Sequence, residues 1–229
     1  MTLSTLSRPA AEGVWPAAKA SPHESGNSFG EAPGRRPLDA APIAGGDSDS
    51  TASAGADPSG EAPSPAGQIR VRAARQDDAP AIAAIYNQGI EERQATFQTR
   101  LHGPEDFRGR ISDTRRPMLV AEADDRLAGW AGVVGYSDSC TYYDGVGEAM
   151  LYVDRGARRA GVGSELLKRL ALEAERQGFY KLVGKIFTTN RPSIELVARC
   201  GWREVGVHRR HGRLDGEWRD VLVVERLLT

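Results

Sequence analysis

The sequence predicts a mixed α/β or α+β domain, with about seven strands and about four helices, behind a long segment that does not fold. Three observations predict this class. Seven short segments that alternate in polarity or are continuously apolar lie between Ile69 and the C-terminus. Four stretches with helical spacing are interleaved among them. The last two strands are joined only by the turn "LDGE", Leu214 to Glu217, which makes them a hairpin.

The first 68 residues differ in kind, since about 40 of them are Ala, Gly, Ser or Pro. Such a segment cannot bury enough apolar surface to offset its ordering entropy, and we read it as a disordered, low-complexity extension. A start codon placed too early accounts for it equally. It has no charged start followed by an apolar run, which argues against a secretory signal. Glu24, Glu31, Asp39, Asp47 and Asp49 argue against a transit peptide. Residues 69–229, roughly 160 of them, are enough for one domain with one core.

The elements follow in order. "IRVRAA" (Ile69–Ala74) alternates and reads as a half-buried strand. Asp77 or Asp78 is placed to cap the next helix, whose Ile82, Ile85 and Ile90 recur at helical spacing and whose end lies near Gly89. "GPEDFRGRI" gives a shorter helix with Pro104 in its first turn. "PMLVAEA" and "RLAGWAGVVGY" are two strands about the tight turn Asp124-Asp125. "VGEAMLYV" (Val146–Val153) is a strand, followed by a Gly-bearing turn and an amphipathic helix that ends near Gly178. "KLVGKIF" (Lys181–Phe187) is a strand. "NRPSIELVARC" is a helix capped by Asn190, with Gly201 near its end. Strands near Glu204–His211 and Arg219–Leu228 close the chain.

Composition excludes several functions. The net charge of −1 supplies no bulk field for nucleic acid or membrane. No apolar run approaches the ~20 residues that span a bilayer. The two cysteines, Cys140 and Cys200, form no CxxC pattern, which fits reduced thiols in the cytoplasm rather than disulfides or zinc. His208 and His211 form an HxxH. On a regular strand residues three apart face opposite sides, and Arg209 and Arg210 repel a cation, so no metal is expected there. Asp215, Glu217 and Asp220 offset the basic run "HRRHGR", leaving a charged hairpin rather than a nucleic-acid patch. Trp130 and Trp202 are expected in the core or an interface.

The informative stretch is "RRAGVGSELL", Arg158 to Leu167. The helix after Gly161 puts Leu166, Leu167, Leu170, Ala171 and Ala174 on one face, with Lys168, Arg169, Glu173 and Arg176 elsewhere. Its first turn therefore offers free amides and a partial positive charge. The two glycines allow close approach to a ligand, and Arg158 and Arg159 add cationic donors. Together these parts suit a phosphate or pyrophosphate. A bare GxG is also what a plain strand–turn–helix joint carries. The stretch is neither a Walker loop, because Gly163 is followed by Ser164 and Glu165, nor a dinucleotide fingerprint, because Leu166 stands at the third glycine position.

"Arg158-Arg159-Ala160-Gly161-Val162-Gly163" resembles the R/Q-x-x-G-x-G/A signature of the GNAT N-acetyltransferases. The resemblance extends over the whole of residues 69–229, through "LYVD" before the loop and "Asn190…Cys200-Gly201-Trp202" after it. "AIYNQGIEERQATFQTR", "GVGEAMLYV" and "GRLDGEWRDV" are similar to the phosphinothricin/arsinothricin branch. The resemblance implies a mixed, mostly antiparallel sheet and acetyl-CoA as co-substrate, without metal. It implies that the strand end Leu151, Tyr152 and Val153 splays from its neighbour and receives thioester and pantetheine. The loop Arg158, Arg159, Ala160, Gly161, Val162, Gly163 and Ser164 receives the pyrophosphate, and Asn190, besides capping its helix, contacts the cofactor arm.

Glu148 stands where phosphinothricin-type enzymes carry their general base. Only a neutral amine attacks a thioester. An α-amino group of pKa near 8 is about a tenth neutral at pH 7, and a lysine amine only about one part in 2,500. A nearby carboxylate supplies what is missing. The plain alternative is that Glu148 pairs with an arginine. The resemblance breaks at Val197, where many members carry a tyrosine or histidine that protonates the departing thiolate. A thiol of pKa about 8.5 leaves as an anion with modest help from amides or water; Tyr152, Tyr180 and Cys200 are substitutes. It also breaks in "YSDSCTYYDGVG", which lacks the branch's basic residues. Tyr142 and Tyr143 are then expected to line the substrate pocket. The segment with Gly212, Gly216, Trp218 and Asp220 is expected at a homodimer interface, and Arg209 or Arg213 to supply charge in trans. The expected activity is acetyl transfer to a small amino-acid-like amine, in a direct-attack ternary complex. A polyamine, antibiotic or protein N-terminus as acceptor, or a non-catalytic acyl-CoA sensor, are the alternatives.

Overall fold

The computed structural model describes residues 68–137 and 141–228. Expectations for residues 1–67, Cys140 and Thr229 lie outside them. The described chain forms β1 (Arg70–Ala73), α1 (Ala79–Glu91), α2 (Glu105–Ile111), β2 (Met118–Ala123), β3 (Arg126–Gly135) and β4 (Val146–Val153). It continues with α3 (Val162–Arg176), β5 (Lys181–Phe187), α4 (Arg191–Arg199), β6 (Arg203–Leu214) and β7 (Glu217–Leu227). The strands make one sheet in the order β1-β2-β3-β4-β5-β7-β6. Every adjacent pair is antiparallel except β4 and β5, which are linked by α3 as a parallel crossover requires. The β2–β3 turn places Asp124 and Asp125 at φ 50° and 57°, the left-handed pair that matches strand twist. No helix of the described residues is long and apolar enough to cross a membrane.

Each face of the sheet is covered by two helices. On one, α3 lays Leu166, Leu167, Leu170, Ala171 and Ala174 against Leu119, Ala131, Val133 and Leu182. Gly178, at φ 89°, ends that helix, and the Phe179 amide donates back to the Ala174 carbonyl. On the other face Tyr86 of α1 and Phe107 of α2 close over Trp130 and Tyr152, whose rings stack at 4.9 Å. α1 ends at Glu91, near Gly89 as expected, and a Cβ on Gly89 would stand 3.1 Å from the Tyr152 ring. One local expectation changes here. Asp78 is the N-cap of α1 by position but makes no side-chain cap. Its carboxylate instead accepts from the Arg72 guanidinium and the Arg75 amide, and the Arg72 bond holds it below the usual carboxylate range.

The feature that positions the site is a fork. β4 and β5 pair only at Val146↔Lys181, Gly147↔Leu182 and Glu148↔Val183. Beyond Glu148, β4 continues to Val153 against β3 alone, while β5 continues to Phe187 against β7 alone. Two strands then carry main-chain groups into a gap with no strand partner there.

Candidate functional site

The loop entering α3 has the geometry of an anion nest. Arg159 and Gly161 take left-handed φ values of 65° and 89°, with Ala160 between them. Such alternation turns successive amides to one side. Gly161 is the N-cap and has no side chain to satisfy the helix start. The Ser164 and Glu165 amides fold back onto the Gly161 carbonyl at 3.0 and 3.2 Å. Those of Val162 and Gly163 have no backbone acceptor among the described residues.

The two glycines and the two arginines differ in their surroundings. Gly161 supplies the backbone conformation. Gly163 is buried, and a Cβ on it would approach Leu196 Cδ2 to 2.8 Å, so its bareness serves the packing of α3 on α4. Arg158 is held by both carboxylate oxygens of Glu92 at 3.0 and 2.8 Å, so its charge is already partnered. Arg159 is exposed and has no side-chain partner among the described residues. The end of α1 also clamps the loop. Gln88 donates to Asp154 at 2.7 Å and accepts from the Arg155 amide at 2.8 Å, and Arg155 pairs with Glu91. The Gln88 bond, helped by the Gly156 amide, holds the Asp154 carboxyl below its ordinary range.

At the fork, Leu151 and Val153 turn their side chains toward the α3 core, and Tyr152 turns to the aromatic face. Burial pushes the Tyr152 phenol well above its ordinary value, and its hydroxyl lies with those of Tyr86 and Thr96. Asn190 caps α4 by accepting from the Ser193 amide at 3.3 Å, and its amide group donates to the Gln94 carbonyl at 3.1 Å. Val197 is buried in the α3-side core and offers no proton. Of its substitutes, Tyr180 lies beside Gly145, ahead of β5, and Cys200 is half-buried against the α4 side of the core.

Glu148, the last β4 residue paired to β5, has an ion pair, but with a lysine. Lys185 Nζ stands 2.7 Å from Glu148 Oε2. Sequence reasoning passed over Lys185 as part of an apolar strand; a lysine amid "KLVGKIF" was the available signal. Two residues along the same face, Met150 Sδ accepts from Arg110 at 3.2 Å. Tyr142 and Tyr143 lie in a short turn, Thr141–Tyr143, where the Tyr143 ring contacts those of Tyr142 and Tyr136.

The hairpin leans on its own chain. Asp215 accepts from Arg93 at 2.8 Å, Gly212 backs onto the Phe97 ring, and Leu214 packs with Phe187, Val221 and Phe97. Arg209 is exposed, and the Arg213 guanidinium lies 4.3 Å above the Trp218 ring. The expected orientation of His208 and His211 is wrong. The β6–β7 register shifts between His208 and Gly212, with Arg210 left-handed at φ 49° and its amide held by Asp220. That bulge brings the two Nδ1 atoms to 3.3 Å. Among the described residues no group of three or more metal-ligating side chains occurs.

A forked parallel pair beside a nest at a helix start now has a context. The sequence model of the acetyltransferase (GNAT) domain matches residues 71–223. Phosphinothricin N-acetyltransferase of Streptomyces viridochromogenes is 33% identical over 158 residues, covering 67% of this chain and 84% of that protein. L-methionine sulfoximine/L-methionine sulfone acetyltransferase of Pseudomonas aeruginosa is 31% identical over 163 residues, covering 68% and 92%. The structure of yncA from Salmonella typhimurium with its cofactor acetyl-CoA aligns at a TM-score of 0.67, with 25% identity over 71% of this chain and 95% of that one. Sheet order, fork, loop and relatives agree, and the chain is an acetyltransferase of the GNAT superfamily, in its phosphinothricin N-acetyltransferase-like branch.

Proposed function

We propose that the enzyme moves acetyl from acetyl-CoA to the primary amine of a small amino-acid-like acceptor of the phosphinothricin, arsinothricin or methionine-sulfone type. The observation that carries this reading is the fork: strand pairing stops at Glu148, the one carboxylate on β4, where the freed main chain begins. Thioester and pantetheine occupy the gap along Leu151, Tyr152 and Val153. The pyrophosphate sits on the loop from Arg158 to Ser164, with Asn190 at the far wall. Glu148 takes the proton of the acceptor ammonium, directly or through water, and the neutral amine attacks the thioester carbonyl in the ternary complex. The thiol, of pKa about 8.5, leaves as thiolate, and its charge falls on main-chain amides and water, since Val197 donates nothing.

Thiol release from acetyl-CoA, with phosphinothricin, arsinothricin, methionine sulfone, a polyamine and a peptide N-terminus compared, tests the acceptor class. The amino-acid analogues are expected to give the highest kcat/KM. A polyamine or peptide that outpaces them rejects the proposed class. Glu148→Gln, which keeps the shape and removes the base, is expected to lower kcat by about a hundredfold. A kcat unchanged by that substitution rejects Glu148 as the base.

A further inference from the structure

Lys185 is an exposed lysine in an unusual place. Val183 and Phe187, two residues to either side and on the same face of β5, are both buried. An ordinary surface lysine has exposed neighbours on its face. Lys185, with its side chain 41% exposed, stands two residues beyond Val183, the last β5 residue paired to β4, and so lies in the fork. Glu148 lies on the β4 wall and Lys185 on the β5 wall, with 2.7 Å between their charges.

We infer that Lys185 recognises the acceptor's carboxylate, exchanging its pair with Glu148 for a pair with the incoming amino acid. An α-amino acid carries an ammonium and a carboxylate one carbon apart. Its ammonium takes Glu148 and its carboxylate takes Lys185, so two ion pairs replace one. A plain amine takes Glu148 and leaves Lys185 without a partner, which disfavours it. Both side chains of the resting pair reach solvent, so opening it costs little. Arg110, bonded to Met150 Sδ farther along the strip, adds to the positive field on this face. The anionic end of the acceptor is thus met within one chain, without Arg209 or Arg213.

This inference rests on the reading of Glu148 as the amine's partner, and the test separates the two. Steady-state kinetics compare methionine sulfone with the primary amine left by its decarboxylation, for the wild type, Lys185→Met and Lys185→Arg. Lys185→Met is expected to raise KM for the amino acid by about tenfold or more, with KM for the decarboxylated amine unchanged or lower. Lys185→Arg is expected to keep most of the wild-type preference. The amine also reports that the Lys185→Met variant is folded and active. Equal changes in KM for both acceptors, or none, overturn the inference and leave the proposed function standing. No thiol release by the wild type with methionine sulfone, phosphinothricin or arsinothricin overturns the proposed function, and this inference with it.

Discussion

Gly161 and Gly163 are two residues apart and answer to different physics. At φ 89° Gly161 occupies backbone space that an L side chain enters at a cost of about 1–2 kcal/mol. Gly163 has helical backbone, and the obstacle to a Cβ is the end of Leu196, which can swing aside. Gly161→Ala is therefore expected to lower the melting temperature and weaken acetyl-CoA together, since it strains the turn that aims the amides. Gly163→Ala is expected to move the Leu196 side chain and to change the melting temperature alone. Thermal melts and calorimetric titration with acetyl-CoA check both; equal losses of affinity would show that the two glycines serve the ligand alike. The signature was visible in the sequence as "AGVG", but the division of labour was not. It depends on Leu196, a residue 33 positions away that only packing brings to the loop.

At the scale of elements, α1 acts as a clamp on the β4–α3 loop, through Gln88 on Asp154 and Glu91 and Glu92 on Arg155 and Arg158. The Asp154 carboxyl is held below its unfolded value, first by Gln88, so its contribution to stability is present above the unfolded carboxylate pKa, near 4. That contribution is lost as pH falls through the lower, folded value. Asp78, lowered by Arg72, behaves in the same sense at the start of α1. Melting temperatures followed from neutral pH into acid are expected to fall less steeply in Asp154→Asn, which is less stable at neutral pH and has nothing left to protonate there. A slope equal to that of the wild type would show that Asp154 carries no acid sensitivity. Most of the elements were legible because they rest on local signals: the Asp124-Asp125 turn, Asn190 as a cap, and Gly178 and Gly201 as helix ends, all at positions the structure confirms. The clamp and the Lys185–Glu148 pair were not, because they join residues 37 to 67 apart in sequence. His208 and His211 failed for a related reason, since a bulge set by the Asp220–Arg210 bond overrides the two-residue period of a strand.

At the scale of the molecule, β6 is the outer edge of the sheet, and no strand covers its far side among the described residues. It is long, and Val205 and Val207 are 51% and 48% exposed on it. An apolar edge of this kind invites pairing unless something covers it. We propose that a second copy does, through the same hairpin, while the hairpin tip stays with its own chain through Arg93, Asp215 and Phe97. Replacing Val205 and Val207 with lysine puts like charges on both copies and is expected to convert a dimer mass into a monomer mass in size-exclusion chromatography with light scattering. An unchanged mass would place the interface elsewhere or remove it. The same variant decides where the acceptor's carboxylate is met. With Lys185 on β5 of the same chain as Glu148, the monomer is expected to keep the preference for an amino acid over its decarboxylated amine. If Arg209 or Arg213 reached across an interface to do this work, separating the subunits would abolish that preference, and Arg209→Ala or Arg213→Ala in the dimer would reproduce the loss.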